Sequence, residues 1–191
     1  MVNALVEGYL DGRLLRILWA QIGLGEQRLV VRDAGGGSSF WKLADRFNQA
    51  GRHRTMIGLA DLEQVQCAAT QLGKLKGGLS DGFKLRLAVR MLESWLMADR
   101  AAFASFMGVA IARIPSEPDE EPHPKRMVTS LARTSSKRSI REGLVPEHSS
   151  GLVGPEYTSM MSDFIDSHWD STRARRRSPS LERACTRWSQ I

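Results

Sequence analysis

Glu7 closes the apolar run Leu5-Val6, and Asp61 and Glu63 close a second run that begins near Ile57. Carboxylates at the ends of strand-like segments can hold a divalent cation against a phosphate. Magnesium prefers oxygen ligands in octahedral geometry, and it takes one or two carboxylates together with water and substrate oxygens. In phosphodiester cleavage such ions activate water and neutralise charge on the leaving oxygen. An acid-x-acid pair suits this work because residues i and i+2 of an extended segment point the same way. Asp61 and Glu63 meet that condition if the chain stays extended to residue 63. Glu93, on a predicted helix, reads either as an outer metal ligand or as a helix-surface acid paired with a neighbouring base. The competing reading of Glu7 is a helix N-terminal acid favoured by the dipole, and that of Asp61 is a turn residue after a strand.

The elements that must position these acids follow from hydrophobic pattern. Residues 3–7 read as a short buried strand, and a helix follows from about Asp11 with Leu10, Leu14, Ile17, Leu18 and Ile22 on one stripe. Arg28 to Arg32 is a second strand, and Gly35-Gly36-Gly37-Ser38-Ser39 leads into a helix that turns Phe40, Leu43, Ala44 and Phe47 inward. Arg54 to Ala60 is a third strand, Val65 to Leu75 a helix and Phe83 to Val89 a fourth strand. Helices are predicted over Arg90–Asp99, Arg100–Met107 with Gly108 as the stop, Lys125–Thr134, Tyr157–His168 and Ser180–Trp188 behind Pro179. Residues 115–124 and 143–156 read as connections.

Strands alternating with helices indicate a mostly parallel sheet. Ligands of open α/β sheets bind at the edge where the strand C-termini lie. The expected architecture is therefore an α/β core over residues 1–110, its sheet flanked by helices, with a mainly helical C-terminal extension over residues 111–191 packed on it.

Composition sets the remaining bounds. The 191 residues are 42% hydrophobic and 25% charged, ordinary for a soluble globular chain. No apolar run approaches the ~20 residues that span a bilayer, and no signal peptide is read at the N-terminus. Cys67 and Cys185 have neither metal-ligand spacing nor a disulfide framework. A cytoplasmic location and no membrane partner are expected. The net charge of +6, from 27 Lys+Arg against 21 Asp+Glu, favours a polyanionic partner. Arg173, Arg175, Arg176 and Arg177 form the densest basic run, either a nucleic-acid contact or a solvated face.

Other residues carry less. The glycine run 35–37 lacks the lysine and spacing of a P-loop and reads as a flexible turn, with a phosphate cradle as the alternative. Arg90 suits a substrate phosphate, or an ion pair with Asp99 or Glu93. Trp95 and Trp169 read as core or interface, and Lys125 and Arg126 as a solvated helix start. His53, His123, His148 and His168 are scattered without ligand spacing. No Gly-x-Ser-x-Gly elbow supports nucleophilic hydrolysis.

With these residues in view, the chain resembles the Toprim fold, the metal-binding α/β domain of topoisomerases, primases and nucleases of overcoming-lysogenization-defect type. Glu7-Gly8 matches the glutamate that ends that family's first strand, and Asp61-Leu62-Glu63 matches its Asp-x-Asp motif with the last member changed. More narrowly, the chain is similar to the bacterial DUF4276 family. That likeness rests on Val6-Glu7-Gly8, Leu59 to Leu62, Ala88-Val89-Arg90 with Glu93 to Asp99, and Arg177 to Leu181. The departures are Glu63, which adds a methylene, Ala60 where a small polar residue is expected, and Met91 where another glutamate is expected.

The resemblance implies a Mg²⁺- or Mn²⁺-dependent nuclease subunit acting on DNA or RNA, encoded in an anti-phage or mobile-element locus beside an ATPase partner. Glu7, Asp61 and Glu63 would be the catalytic metal ligands, with Glu93 as a further one. Arg90 and the arginines of the 173–177 run would hold phosphate. Two alternatives stand beside it: a catalytically degenerate Toprim-like subunit that binds an ATPase or nucleic acid without cleaving, and a basic accessory protein that uses its C-terminal arginines.

Overall fold

The structure is a computed structural model that describes residues 1–64, 67–148 and 150–191. Four parallel strands form one sheet in the order β2-β1-β3-β4. Strand β1 spans Val2–Val6 and is followed by helix α1, Tyr9–Trp19, which runs into a π-helical turn at Ala20–Leu24. Strand β2 is Leu29–Asp33, helix α2 Gly37–Ala50, strand β3 Met56–Asp61, helix α3 Ala68–Leu72 and strand β4 Phe83–Ala88. The predicted helix start at Val65 lies outside the described residues, and α3 ends at Leu72, short of the predicted Leu75.

Period-two alternation puts a core on each face of the sheet. Val2, Ala4, Val6, Ile57 and Leu59 face α1, while Leu5, Met56, Ala60, Phe83 and Leu85 face Phe40 and Ala44 of α2. Gly58 falls on the second face by the same alternation, and glycine fits there because a Cβ would lie 2.6 Å from Leu85 Cδ1 and 2.8 Å from Phe83 Cζ.

The remaining helices are α4, Leu92–Ala98; α5, Arg100–Met107; α6, Pro124–Arg133; α7, Arg138–Leu144; α8, Tyr157–Ser167; α9, Ser171–Ala174; and α10, Pro179–Trp188. The α7 segment was not anticipated, nor was the short α9. Gly108 closes α5 in the left-handed conformation, φ 64°.

The C-terminal helices extend the same core that α1 lines: Leu14 and Leu18 share one apolar cluster with Trp95, Phe164 and Trp188. Each large indole in this layer also finds a polar partner, as buried indoles require. Trp95 Nε1 donates to Ser180 Oγ at 2.7 Å, Trp169 Nε1 to the Trp95 carbonyl at 2.9 Å, and Trp188 Nε1 to the Lys84 carbonyl at 2.8 Å. Trp95 and Trp169 are thus core residues. No helix among the described residues is long and apolar enough to cross a membrane.

Candidate functional site

The connection from β1 through α1 leads to β2 on one side, and the chain then returns across β1 to place β3 on the other. This reversal makes the C-terminal ends of β1 and β3 the crevice where α/β sheets bind ligands. Val6 pairs with Leu59 in register, so Glu7 and Asp61 emerge side by side. The Asp61 N–H donates to Glu7 Oε2 at 3.3 Å. Asp61 Oδ1 accepts the Leu92 N–H at 2.9 Å, so the same carboxylate caps the start of α4.

Two further acids close the site. Asp11, 9% exposed, stands at the third position of α1, where its Oδ2 accepts the Gly8 N–H at 3.1 Å. Its Oδ1 is buried without a hydrogen-bond partner among the described residues. Sequence reasoning placed Asp11 only as a helix start; its spacing three residues after Gly8 is the signal that could have drawn attention to it. Glu93 is 2% exposed, not a surface acid. Its Oε1 accepts Tyr157 Oη at 2.8 Å and faces Lys125 Nζ at 3.4 Å, while its Oε2 is buried and unpartnered.

Lys125 therefore belongs to the site rather than to a solvated helix start. Its side chain is 30% exposed and lies over the Tyr157 ring, 6.0 Å from the centroid. Neither it nor Tyr157 carries a sequence signal, because both arrive on helices far from Glu93 in the chain.

The electrostatics report crowded negative charge. Burial, reinforced by Glu7 and Glu93, pushes Asp11 up to about 7. Burial, followed by the fields of Asp11, Glu93 and Glu7, raises Asp61 well above the usual carboxylate range. Glu7 is raised by burial against the lowering effect of the Asp61 N–H. Burial works to lower Lys125, but Glu93 and Asp61 outweigh it, so the ammonium is held more firmly than usual. Burial and then Glu93 raise the Tyr157 hydroxyl, which stays a donor. One ammonium faces four carboxyl groups.

Glu63 departs from expectation. Pairing continues past β3 through Leu62 N–H to the Ala88 carbonyl, 2.9 Å, and Glu63 N–H to the Arg90 carbonyl, 2.7 Å. The backbone then turns at Glu63, where φ is 53°. The side chain is exposed, and its charge still raises Glu7. Arg90 Nη1 reaches the Glu63 carbonyl at 3.5 Å. Asp99, one of the two acids weighed as a partner for Arg90, is 1% exposed and is held by Arg173 through Nε at 2.9 Å and Nη2 at 2.7 Å.

The basic run is divided by tertiary contacts. Arg173 braces α9 against Asp99, and Arg175 Nη2 donates to Glu182 Oε1 at 2.8 Å, whereas Arg176 and Arg177 are exposed. The glycine run has its own place at the site. Gly36 N–H donates to the Glu7 carbonyl at 2.8 Å with φ 117°, and a Cβ on Gly37 would stand 3.0 Å from Glu7 Oε1. These glycines let the β2–α2 loop pass against Glu7.

Compared with known protein families, curated proteins and solved structures, the chain matches none of them.

Among the described residues, no group of three or more His, Cys, Asp or Glu side chains is arranged to hold a metal ion. Magnesium needs only one or two protein carboxylates. Glu7 and Asp61 suit that hard-oxygen chemistry, and the unpartnered oxygens of Asp11 and Glu93 mark negative charge left for a cation or its water to meet.

Proposed function

We propose that this chain is a Toprim-like, Mg²⁺- or Mn²⁺-dependent nuclease subunit that acts on DNA or RNA in the cytoplasm. It would serve a bacterial anti-phage or mobile-element system beside an ATPase partner. The observation that carries this reading is the pair Glu7 and Asp61, on adjacent strand ends, in the field of Asp11 and Glu93. The resemblance to Toprim nucleases supports the reaction and the setting.

Glu7 and Asp61 would bind the ion, directly or through water. When bound, the ion would activate water and neutralise charge on the leaving oxygen. Glu93, oriented by Tyr157 and Lys125, would serve as an outer ligand. Asp11 fixes the Gly8 turn that aims Glu7. Glu63, beyond the turn, would meet the substrate side of the site only as a longer, exposed acid.

A second reading is supported by Lys125: its ammonium already supplies positive charge to Glu93 and Asp61, as a domain that has lost its metal would need. In that case the chain is a degenerate subunit that binds its partner without cleaving.

Nicking of supercoiled plasmid with Mg²⁺ or Mn²⁺ separates the two. The nuclease reading expects activity that Glu7→Ala and Asp61→Ala abolish; activity surviving in both variants rejects the site. Calorimetric Mn²⁺ binding that disappears in Asp61→Ala argues against degeneracy, and no binding to the wild type argues for it.

A further inference from the structure

Strand β4 is an edge of the sheet, and α10 lies alongside it. Between them and α3 runs a groove of about 420 Å³ floored by Leu72, Leu87 and Val89. Three guanidinium groups line it: Arg86 from β4, and Arg183 and Arg187 one helical turn apart on α10. The one acid among the described residues of its lining, Glu182, is already held by Arg175. Arg86 donates through Nη1 to the Leu85 carbonyl at 2.9 Å, but its Nε is buried without a partner among the described residues. Burial, then Arg187 and Arg183, lower its hold on the proton. Three like charges around a partly apolar cleft call for an anion.

The groove also leads to the carboxylate site. Val89 follows Ala88, which pairs in register with Asp61, and the Val89 N–H donates to Ser180 Oγ at 3.4 Å on the groove's other wall. A chain of phosphates laid along β4 would thus reach the strand end that carries Asp61.

We infer that the β4–α10 groove, through Arg86, Arg183 and Arg187, holds the phosphodiester backbone of a nucleic acid. The inference rests on the nuclease reading for its direction toward Asp61, but not for the binding itself. Guanidinium forks match phosphate oxygens in paired hydrogen bonds. The floor is aliphatic, and among the described residues its lining holds no aromatic ring for base stacking. Recognition is therefore of backbone, independent of sequence. An acidic peptide would offer isolated carboxylates rather than a continuous anionic thread, which suits a groove with charges on both walls less well.

The test is fluorescence anisotropy of a labelled oligonucleotide, single-stranded and duplex, in EDTA across about 50 to 200 mM salt. Arg183→Ala/Arg187→Ala should weaken binding about tenfold or more at the low-salt end and reduce the salt slope by about 1.5 to 2. Arg183→Lys/Arg187→Lys should restore much of the slope. Both substitutions lie on an outer helix face, and unchanged thermal melting checks the fold. Wild-type affinity and slope in the alanine variant overturn the proposal. So does a wild type that binds poly-glutamate but neither oligonucleotide. Glu7→Ala and Asp61→Ala should bind at least as tightly as the wild type in EDTA, because each removes a carboxyl group from the end of the phosphate track. Binding lost in Arg183→Ala/Arg187→Ala while Glu7→Ala and Asp61→Ala still nick plasmid would reject the nuclease site and keep the groove; binding intact in the arginine variant while those two no longer nick would do the reverse.

Discussion

The backbone N–H of Asp61 donates to the Glu7 carboxylate across the β1–β3 pair, 3.3 Å apart. This contact joins the two acids through main chain rather than through their charges. It lets both stay in place although the surrounding carboxyl groups repel them.

Asp61 also caps α4 through the Leu92 N–H. Asp61→Ala should therefore cost about 1 kcal/mol of stability from the lost cap. Asp61→Asn keeps an acceptor and removes a repelled charge, so it should be at least as stable as the wild type at neutral pH while losing metal binding. Urea denaturation beside calorimetry checks both halves; equal destabilisation by Ala and Asn would show that the cap contributes nothing.

Asp11 titrates near 7 in the folded chain, against about 4 when unfolded. Between those values the folded state holds more protons than the unfolded one. The stability this group contributes is complete below about pH 4 and is lost as pH rises through about 7. Raised Glu7 and Asp61 act in the same direction. The metal-free protein should melt at a lower temperature near pH 8 than near pH 5.5, and Asp11→Asn should flatten that dependence. Added Mg²⁺ should raise the melting temperature most at the alkaline end. Parallel pH profiles for wild type and Asp11→Asn would contradict this account.

Gly37 opens α2 against Glu7, and a methyl group there would press on Oε1 from 3.0 Å. Gly37→Ala gains helix propensity of at most about 1 kcal/mol yet must displace the carboxylate. The expected result is near-unchanged stability with Mn²⁺ affinity reduced severalfold. Calorimetry with unaltered affinity would mean that Glu7 yields freely.

Arg173 covers buried Asp99, so Arg173→Ala leaves that carboxylate short of partners. Because Arg173 is half-exposed, water will compensate in part, and a loss of about 1.5–3 kcal/mol is expected. Arg176→Ala/Arg177→Ala, at exposed positions, should stay within about 0.5 kcal/mol of wild type. Chemical denaturation of the three proteins distinguishes a brace from a solvated run.

Local pattern accounts for much of the fold. The four strands were legible because β1, β2 and β3 are short, mostly apolar runs and β4 alternates Phe83, Leu85 and Leu87 with Lys84 and Arg86, and α5 because Gly108 terminates it. Helix α7 was not, since Arg138–Leu144 buries only Ile140, Gly143 and Leu144 and shows no full stripe. The turn at Glu63 was not legible for a different reason: hydrogen bonds to Ala88 and Arg90 carry the chain past β3 and into a left-handed turn, and such bonds depend on a strand more than twenty residues away.

By itself, the sequence determined the alternation of strands and helices, and with it that Glu7 and Asp61 would stand at strand ends. Tertiary structure alone decided their company. Asp11, Glu93, Lys125 and Tyr157 reach the site on four different helices, and Arg173 is tied down by buried Asp99. Periodicity is a property of neighbours in the chain, whereas burial and ion pairing are properties of neighbours in space. Those neighbours exist only once the C-terminal helices have packed against α1 and α4.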